Sequence, residues 1–172
     1  MQQLCLTGYQ PDVLAGRLFH ALDVQPAGLR IAPFSVDGVP AGDAVYVFPP
    51  AIAPGACCIP CRIRLTQERS VLIPQVLEDV AVPALRSAMR VQSPILLTGL
   101  TADLLDCAPF AQAVCDCLQS NRAVVLTADA LAARMLQAAL TGTQLLCFDS
   151  PADAAGQAAL LEELIPEAAL RF

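Results

Sequence analysis

The stretch LCLTGYQPDVLAGRLFHAL, residues 4–22, carries the strongest fold signal of the chain. Residues 4–7 form a short, largely apolar run of the kind found in a buried strand, and Gly8 follows where the chain must turn. Pro11 suits the first position of a helix, because it has no N–H group to leave unpaired there. Apolar residues then recur at helical spacing at Leu14, Leu18 and Leu22. The stretch therefore predicts a strand, a loop and an amphipathic helix.

The second half of the chain continues this alternation of strands and helices. Apolar runs predict strands at 94–98, 123–127 and 144–148. Helical patterns surround them at about 74–90, 109–120, 129–140 and 153–165. Strands that are continuously apolar and lie between helices are typical of a parallel sheet covered on both faces. A length of 172 residues fits a single domain, which we assign to residues 1–172.

The segment from about residue 29 to residue 73 has a different character. Short β-branched or alternating runs occupy 29–36, 44–48, 61–65 and 70–73. Turn residues such as Asp37-Gly38 and Pro49-Pro50 separate them, and this spacing predicts a small antiparallel hairpin insertion. The predicted fold class is α/β, with three layers and a mainly parallel five-stranded sheet that has helices on both faces and carries this insertion.

Composition excludes several classes of function. Apolar residues make up 56% of the chain and charged residues 15%, but no apolar run reaches the roughly 18 residues of a membrane span. The net charge of −6 and the scattered arginines make a nucleic-acid partner unfavourable. The N-terminal residues do not resemble a secretion signal, so we expect a cytoplasmic protein with reduced thiols.

A working phosphate-binding loop needs a glycine-rich turn, a lysine that reaches the phosphates and a Ser or Thr that binds Mg²⁺. Here the corresponding residues are GYQPDV, at 8–13, with no second glycine, no lysine and no hydroxyl residue after it. The absence of lysine extends to the whole chain, since all ten basic residues are arginine. The strand–loop–helix frame is present without the groups that would act on a nucleotide.

Several strings resemble the bacterial and archaeal nucleoside-triphosphatase family related to P-loop nucleotide kinases. They are LCLTG at 4–8, VLEDVAVPALRSA at 76–88, PILLTGL at 94–100 and APFAQAVCDCLQSNRAVVL at 108–126. The resemblance covers nearly the whole chain in order and spacing. It implies a P-loop-type fold and, in a typical member, hydrolysis of nucleoside triphosphates with Mg²⁺.

The residues that the resemblance assigns to that chemistry are replaced in this sequence. Tyr9, Gln10 and Asp12 stand in the loop, and Thr98 with Gly99 stands where the family has an Asp-Glu pair. The matched positions define a remnant nucleotide-binding loop of Thr7, Gly8, Tyr9, Gln10, Asp12 and Thr98. Asp12 would place a carboxylate in the first helical turn, where it repels phosphate. We therefore assign no catalytic residue.

Two further groups of residues have a candidate role. Cys57, Cys58 and Cys61 are close enough in sequence to be part of a metal site or a redox pair, but no matching Cys/His pair occurs elsewhere at zinc-site spacing. We expect apolar thiols there and no metal. Asp103 and Asp106 follow the strand at 94–98, and Asp106 precedes Ala-Pro, which favours helix capping over metal binding.

The sequence thus predicts a catalytically inactive, nucleoside-triphosphatase-like protein without a cofactor, which acts through a protein partner or as a homo-oligomer. Its apolar excess favours this interpretation, and the segment 29–73 with Tyr46 and Phe48 is the expected contact element. One alternative is a module that binds ATP or GTP with Mg²⁺ but does not hydrolyse it efficiently. The other is a thiol-based or metal-binding protein.

Overall fold

Eight strands form a single sheet in the part of the chain that the computed structural model describes, residues 2–48 and 58–171. In chain order they are β1 (Gln2–Gly8), β2 (Ala27–Val36), β3 (Val39–Phe48), β4 (Ile59–Arg64), β5 (Ser70–Leu72), β6 (Ile95–Leu100), β7 (Val124–Ala128) and β8 (Gln144–Ser150). Their order across the sheet is β5-β4-β3-β2-β6-β7-β1-β8. Five neighbouring strands are parallel to one another: β2, β6, β7, β1 and β8. Beyond β2, the strands β3, β4 and β5 extend the sheet, each antiparallel to its neighbour.

Four helices each precede a parallel strand, and a fifth follows β8. They are α1 (Pro11–Ala21), α2 (74–88), α3 (Ala108–Gln119), α4 (Ala130–Ala139) and α5 (Ala154–Ala169). A short 3₁₀ turn, Ala102–Leu104, lies between β6 and α3. No helix in the described ranges has both the length and the apolar character needed to cross a membrane.

The helices cover both faces of the sheet and create two cores. On one face, α1 and α5 pack through Leu14, Leu18 and Leu164 onto Leu4 and Leu6 of β1. On the other face, α2, α3 and α4 enclose a larger core that includes Cys5 of the same strand. Successive residues of β1 therefore enter opposite cores, which explains why a strand with two covered faces is apolar throughout.

Helix α2 contains a π-turn, Leu77–Ala81, between the α-helical segments Pro74–Val76 and Val82–Ala88. Pro83 has no N–H group, and its ring would clash with the carbonyl four residues earlier in a regular helix. The wider turn just before it, in which the Val82 N–H bonds to the Leu77 carbonyl, accommodates this proline. Leu77, Val82 and Leu85 remain buried on either side of it.

The predicted α/β class is confirmed, but the prediction of a mainly parallel five-stranded sheet is wrong, because the sheet is mixed and has eight strands in the described part of the chain. Strand β2 explains the difference. Its residues 27–30 pair in parallel with β6, while its other edge pairs antiparallel with β3. Arg30 is exposed between the buried Leu29 and Ile31, and this alternation is what predicts a hairpin strand. The segment assigned to an insertion thus continues the main sheet.

Candidate functional site

The candidate site is a cavity of about 430 Å³ at the carboxyl ends of β1, β6 and β7. Ligands of open α/β sheets bind at this edge, where the chain order of the strands reverses, and here β1 has β7 on one side and β8 on the other. We name it the carboxyl-edge cavity. Its lining residues are Gly8, Gln10, Pro11, Asp12, Val13, Gly99, Leu100, Thr101, Thr127, Ala128 and Asp129.

The loop between β1 and α1 is only two residues long, Tyr9 and Gln10. Gly8 has φ +85°, and a Cβ atom there would lie 2.4 Å from a carboxylate oxygen of Asp149, so only glycine fits. The Tyr9 amide donates to the Ser150 carbonyl at 2.9 Å, and Pro11 has no amide hydrogen. A phosphate-binding loop has six residues from its first to its last glycine, and the lysine follows directly. The turn in this chain is shorter than such a loop.

The carboxylate of Asp12 is bonded within the protein. It accepts a hydrogen bond from the hydroxyl of Thr127, which is fully buried at the end of β7. The Thr127 oxygen in turn accepts a hydrogen bond from the Gly99 amide of β6 at 2.9 Å. A chain of two hydrogen bonds therefore joins the start of α1 to the ends of β7 and β6, across the floor of the carboxyl-edge cavity.

The position of the missing acidic pair is closed to longer side chains. Thr98 is 3% exposed, does not line the cavity, and its hydroxyl has no hydrogen-bond partner among the described residues. Gly99 has φ +77°, and a Cβ atom there would lie 1.9 Å from the carbonyl oxygen of Ile31 in β2. The close approach of the β2 backbone thus excludes a carboxylate-bearing residue at position 99 in this conformation.

The structure brings together three residues of the predicted remnant loop, since Gly8, Gln10 and Asp12 line the cavity. The other three, Thr7, Tyr9 and Thr98, do not line it. Thr7 lies at the end of β1 and donates a hydrogen bond to Asp149 at 3.0 Å. Tyr9 is 49% exposed at the turn.

Asp129 is a cavity residue that the sequence analysis did not single out. One of its carboxylate oxygens caps α4 by accepting from the amides of Leu131 at 2.9 Å and Ala132 at 2.7 Å. The other accepts from the Ala102 amide at 3.1 Å. Its position between the end of a strand and an Ala-rich helix is a helix-cap signal, which could have located it.

Arg62 of β4 forms ion pairs with Asp43 of β3 and with Asp103 in the 3₁₀ turn after β6. Its guanidinium contacts Asp43 at 2.5 Å and also binds Asp103, while Thr101 donates to Asp103 at 2.6 Å. Partial burial opposes ionisation of Asp103, but the hydrogen bond from Thr101 and the charge of Arg62 lower its pKa overall. Asp103 is therefore an ion-pair partner of Arg62.

The prediction that Asp106 caps a helix is wrong, because α3 begins after Cys107 without a side-chain cap.

Two of the three cysteines predicted as apolar thiols, Cys58 and Cys61, lie at β4. Cys58 is exposed, with its thiol 3.5 Å from the Tyr46 hydroxyl, and Cys61 is buried, with its thiol 3.5 Å from the Asp43 carbonyl. Cys57 lies outside the described residues. Within the described ranges, no group of three or more His, Cys, Asp or Glu side chains is arranged to hold a metal ion.

Comparisons with known proteins give one structural match of note. No protein-family model matches the chain, and no curated protein does. The crystal structure of THEP1 from the hyperthermophile Aquifex aeolicus, a P-loop NTPase, superposes with a TM-score of 0.65 over 98% of this chain and 99% of that chain. The sequence identity is 14%. This likeness shows that the chain has a P-loop NTPase-like fold, which bears out the fold that the resemblance implies.

Proposed function

We propose that this chain is a catalytically inactive, nucleoside-triphosphatase-like protein that acts by binding a protein partner or another copy of itself. The observation that carries the proposal is the hydrogen bond between Thr127 and Asp12 at the start of α1. The N-terminus of a helix is the place where this type of fold holds phosphate. Here a carboxylate of the protein itself stands there and is kept in place by a buried hydroxyl.

The charges around the carboxyl-edge cavity support the loss of hydrolysis. Its described lining contains two carboxylates, Asp12 and Asp129, and no basic side chain. Phosphoryl transfer depends on positive groups that neutralise the charge developing on the phosphate oxygens. Arg62, which contacts Thr101 at the rim, is already held by Asp43 and Asp103. A triphosphate in this cavity would face carboxylates at the positions where catalysis needs cations.

Exposed apolar side chains support the binding role. Strands β3, β4 and β5, together with the end of β2, form what we call the antiparallel extension, and large exposed apolar residues lie on it at Val36, Val39, Leu65 and Val71. Its outer strand β5 has only three residues, and so short a strand limits pairing along this edge of the sheet. Tyr46 and Phe48, the predicted contact residues, are half-buried on β3. The proposed contact therefore uses the exposed apolar side chains and the turns of the extension.

Phosphate release from ATP and GTP, with and without Mg²⁺, tests the loss of hydrolysis. We expect no Mg²⁺-dependent release above the uncatalysed rate. Steady release that disappears when residues 8–13 are mutated would refute the proposal.

Light scattering tests self-association, and we expect a concentration-dependent rise in mass that a Val36→Ser/Val39→Ser variant reduces. A strict monomer at high concentration, together with no specific partner in a pull-down, would remove the binding role.

The alternative of nucleotide binding without hydrolysis has one supporting observation, the persistence of a cavity of about 430 Å³ at the carboxyl edge. Thermal shift with ATP, GTP and Mg²⁺ separates the two proposals, since only the alternative expects a saturable rise in melting temperature.

We expect the protein to act in the cytoplasm. There its seven described cysteines, which form no disulfide with one another, would stay reduced.

A further inference from the structure

A second, more polar cavity of about 210 Å³ lies on the antiparallel extension and shares no lining residue with the carboxyl-edge cavity. Three arginines line it, Arg62 and Arg64 of β4 and Arg69 of the following turn, together with the hydroxyl residues Thr66 and Ser70. We call it the arginine pocket. We propose that it binds a phosphate-sized dianion, either inorganic phosphate or the phosphate monoester of a small molecule.

Local geometry explains why the arginines converge. Arg62 and Arg64 are two residues apart on one strand, so both side chains leave the sheet on the same side. Ser70 of β5 is the register partner of Arg64. The turn between β4 and β5 is closed by hydrogen bonds from the Leu65 and Thr66 amides to the Arg69 carbonyl, at 2.8 and 3.1 Å. The turn thus holds Arg69 beside the strand that carries the other two arginines.

The charges of the arginine pocket leave two guanidinium groups available. Asp43 and Asp103 already neutralise Arg62, which contributes a side chain held in one orientation. Arg64 and Arg69 are exposed and form no ion pair with any described residue. Besides Asp43, the lining of the pocket contains one carboxylate, that of Glu68. Guanidinium groups present paired N–H donors that match the oxygens of phosphate, and a doubly charged anion satisfies two of them at once.

The two cavities differ in sign as well as in place. The described lining of the carboxyl-edge cavity carries carboxylates and no arginine, whereas in the arginine pocket Arg64 and Arg69 face one further carboxylate, Glu68, once Arg62 is paired with Asp43 and Asp103. An anion is therefore favoured on the extension and disfavoured at the edge where this fold usually holds phosphate. Anion binding in the arginine pocket is independent of whether the carboxyl-edge cavity binds a nucleotide.

Calorimetric titration with inorganic phosphate tests the proposal. We compare the native protein with an Arg64→Gln/Arg69→Gln variant and with a control, Arg86→Gln/Arg90→Gln, which makes the same charge change at exposed positions outside the pocket. We expect saturable binding of one phosphate, weakened about tenfold or more in the pocket variant and unchanged in the control. Circular dichroism and melting curves verify that all three proteins fold alike.

Several outcomes would overturn the proposal. They are the absence of saturable binding to the native protein, an equal loss in both variants, and phosphate binding that responds to Asp12→Asn but not to the pocket variant. Titration with glycerol 3-phosphate distinguishes the two sources. Tighter binding of glycerol 3-phosphate than of inorganic phosphate indicates a phosphate monoester as the ligand, and the reverse order indicates inorganic phosphate. Dimethyl phosphate carries one charge and should bind more weakly than either, and equal binding would contradict a dianion site.

Discussion

The buried hydroxyl of Thr127 donates a hydrogen bond to the carboxylate of Asp12, and the same oxygen accepts one from the Gly99 amide. One threonine therefore connects a helix start with two strand ends at the edge where the fold would hold a ligand. Thr127 has no exposed surface, so its hydroxyl makes both hydrogen bonds within the protein. The arrangement has measurable consequences for stability.

Replacing Thr127 with valine should lower the free energy of unfolding by about 1–3 kcal/mol, because the Gly99 amide and the Asp12 carboxylate both lose a partner. Thr127→Ser keeps the hydroxyl and should cost less. Urea unfolding of Thr127→Val, Asp12→Ala and the double variant forms a cycle in which we expect a coupling energy of about 1 kcal/mol. Strictly additive effects would show that the two side chains do not interact.

Gly99 provides a second test of the closed edge. An alanine there would place its Cβ atom 1.9 Å from the Ile31 carbonyl oxygen, and φ is +77°. We expect Gly99→Ala to lower the unfolding free energy by about 3 kcal/mol or more. Gly142 is a matched control, because it has the same φ but no atom within 4 Å of the added carbon. Gly142→Ala should cost only about 1–2 kcal/mol, and similar losses in both would contradict the backbone contact.

The secondary structure could be predicted from local pattern because each element carries its own signal. Pro11 marks the start of α1, and the apolar run at 123–127 coincides with β7 within one residue. Sheet order carries no such signal. Strand β2 pairs with β6, whose register partners lie 68 residues later in the chain (Ala27 with Ile95), and local alternation cannot distinguish this parallel edge from its antiparallel one.

The candidate site was predictable where one short segment forms it. The two-residue loop follows from Pro11, which must begin the helix, and the helix-cap role of Asp129 has a local signal. The ion pair between Arg62 and Asp103 joins residues 41 positions apart, one in strand β4 and the other in the 3₁₀ turn after β6. Only the folded chain brings them together, so no motif in the sequence could indicate it.

The ion pair of Asp103 predicts how stability depends on pH. The pKa of Asp103 is lower in the folded protein than in the unfolded chain, so the pair stabilises the fold above the unfolded pKa and its effect is lost as the pH falls through the folded pKa. We expect Asp103→Asn to be less stable than the native protein at pH 7. The difference should shrink below about pH 4. A gap that stays constant down to acid unfolding would mean that the charge of Asp103 does not contribute.

The described thiols differ strongly in environment, which predicts an order of reactivity. Burial raises the pKa of Cys61 to about 11 and that of Cys117 to about 12, and it raises the pKa of Cys5 further. Cys58 and Cys147 are exposed, although partial burial raises the pKa of Cys147, against the opposing effect of a hydrogen bond from Cys5. Because the thiolate is the reactive form, accessible thiols of lower pKa react first.

In a Cys57→Ser variant, which removes the thiol outside the described residues, Ellman's reagent at about pH 8 should therefore modify Cys58 first and Cys147 more slowly. The buried thiols should react only at the rate of unfolding, so that denaturant releases them together. Adding Cys58→Ser should remove the fast phase, whereas adding Cys117→Ser should leave it unchanged. If Cys5 or Cys117 reacted in the native protein as quickly as Cys58, the larger core, to which both belong, would not be packed as described.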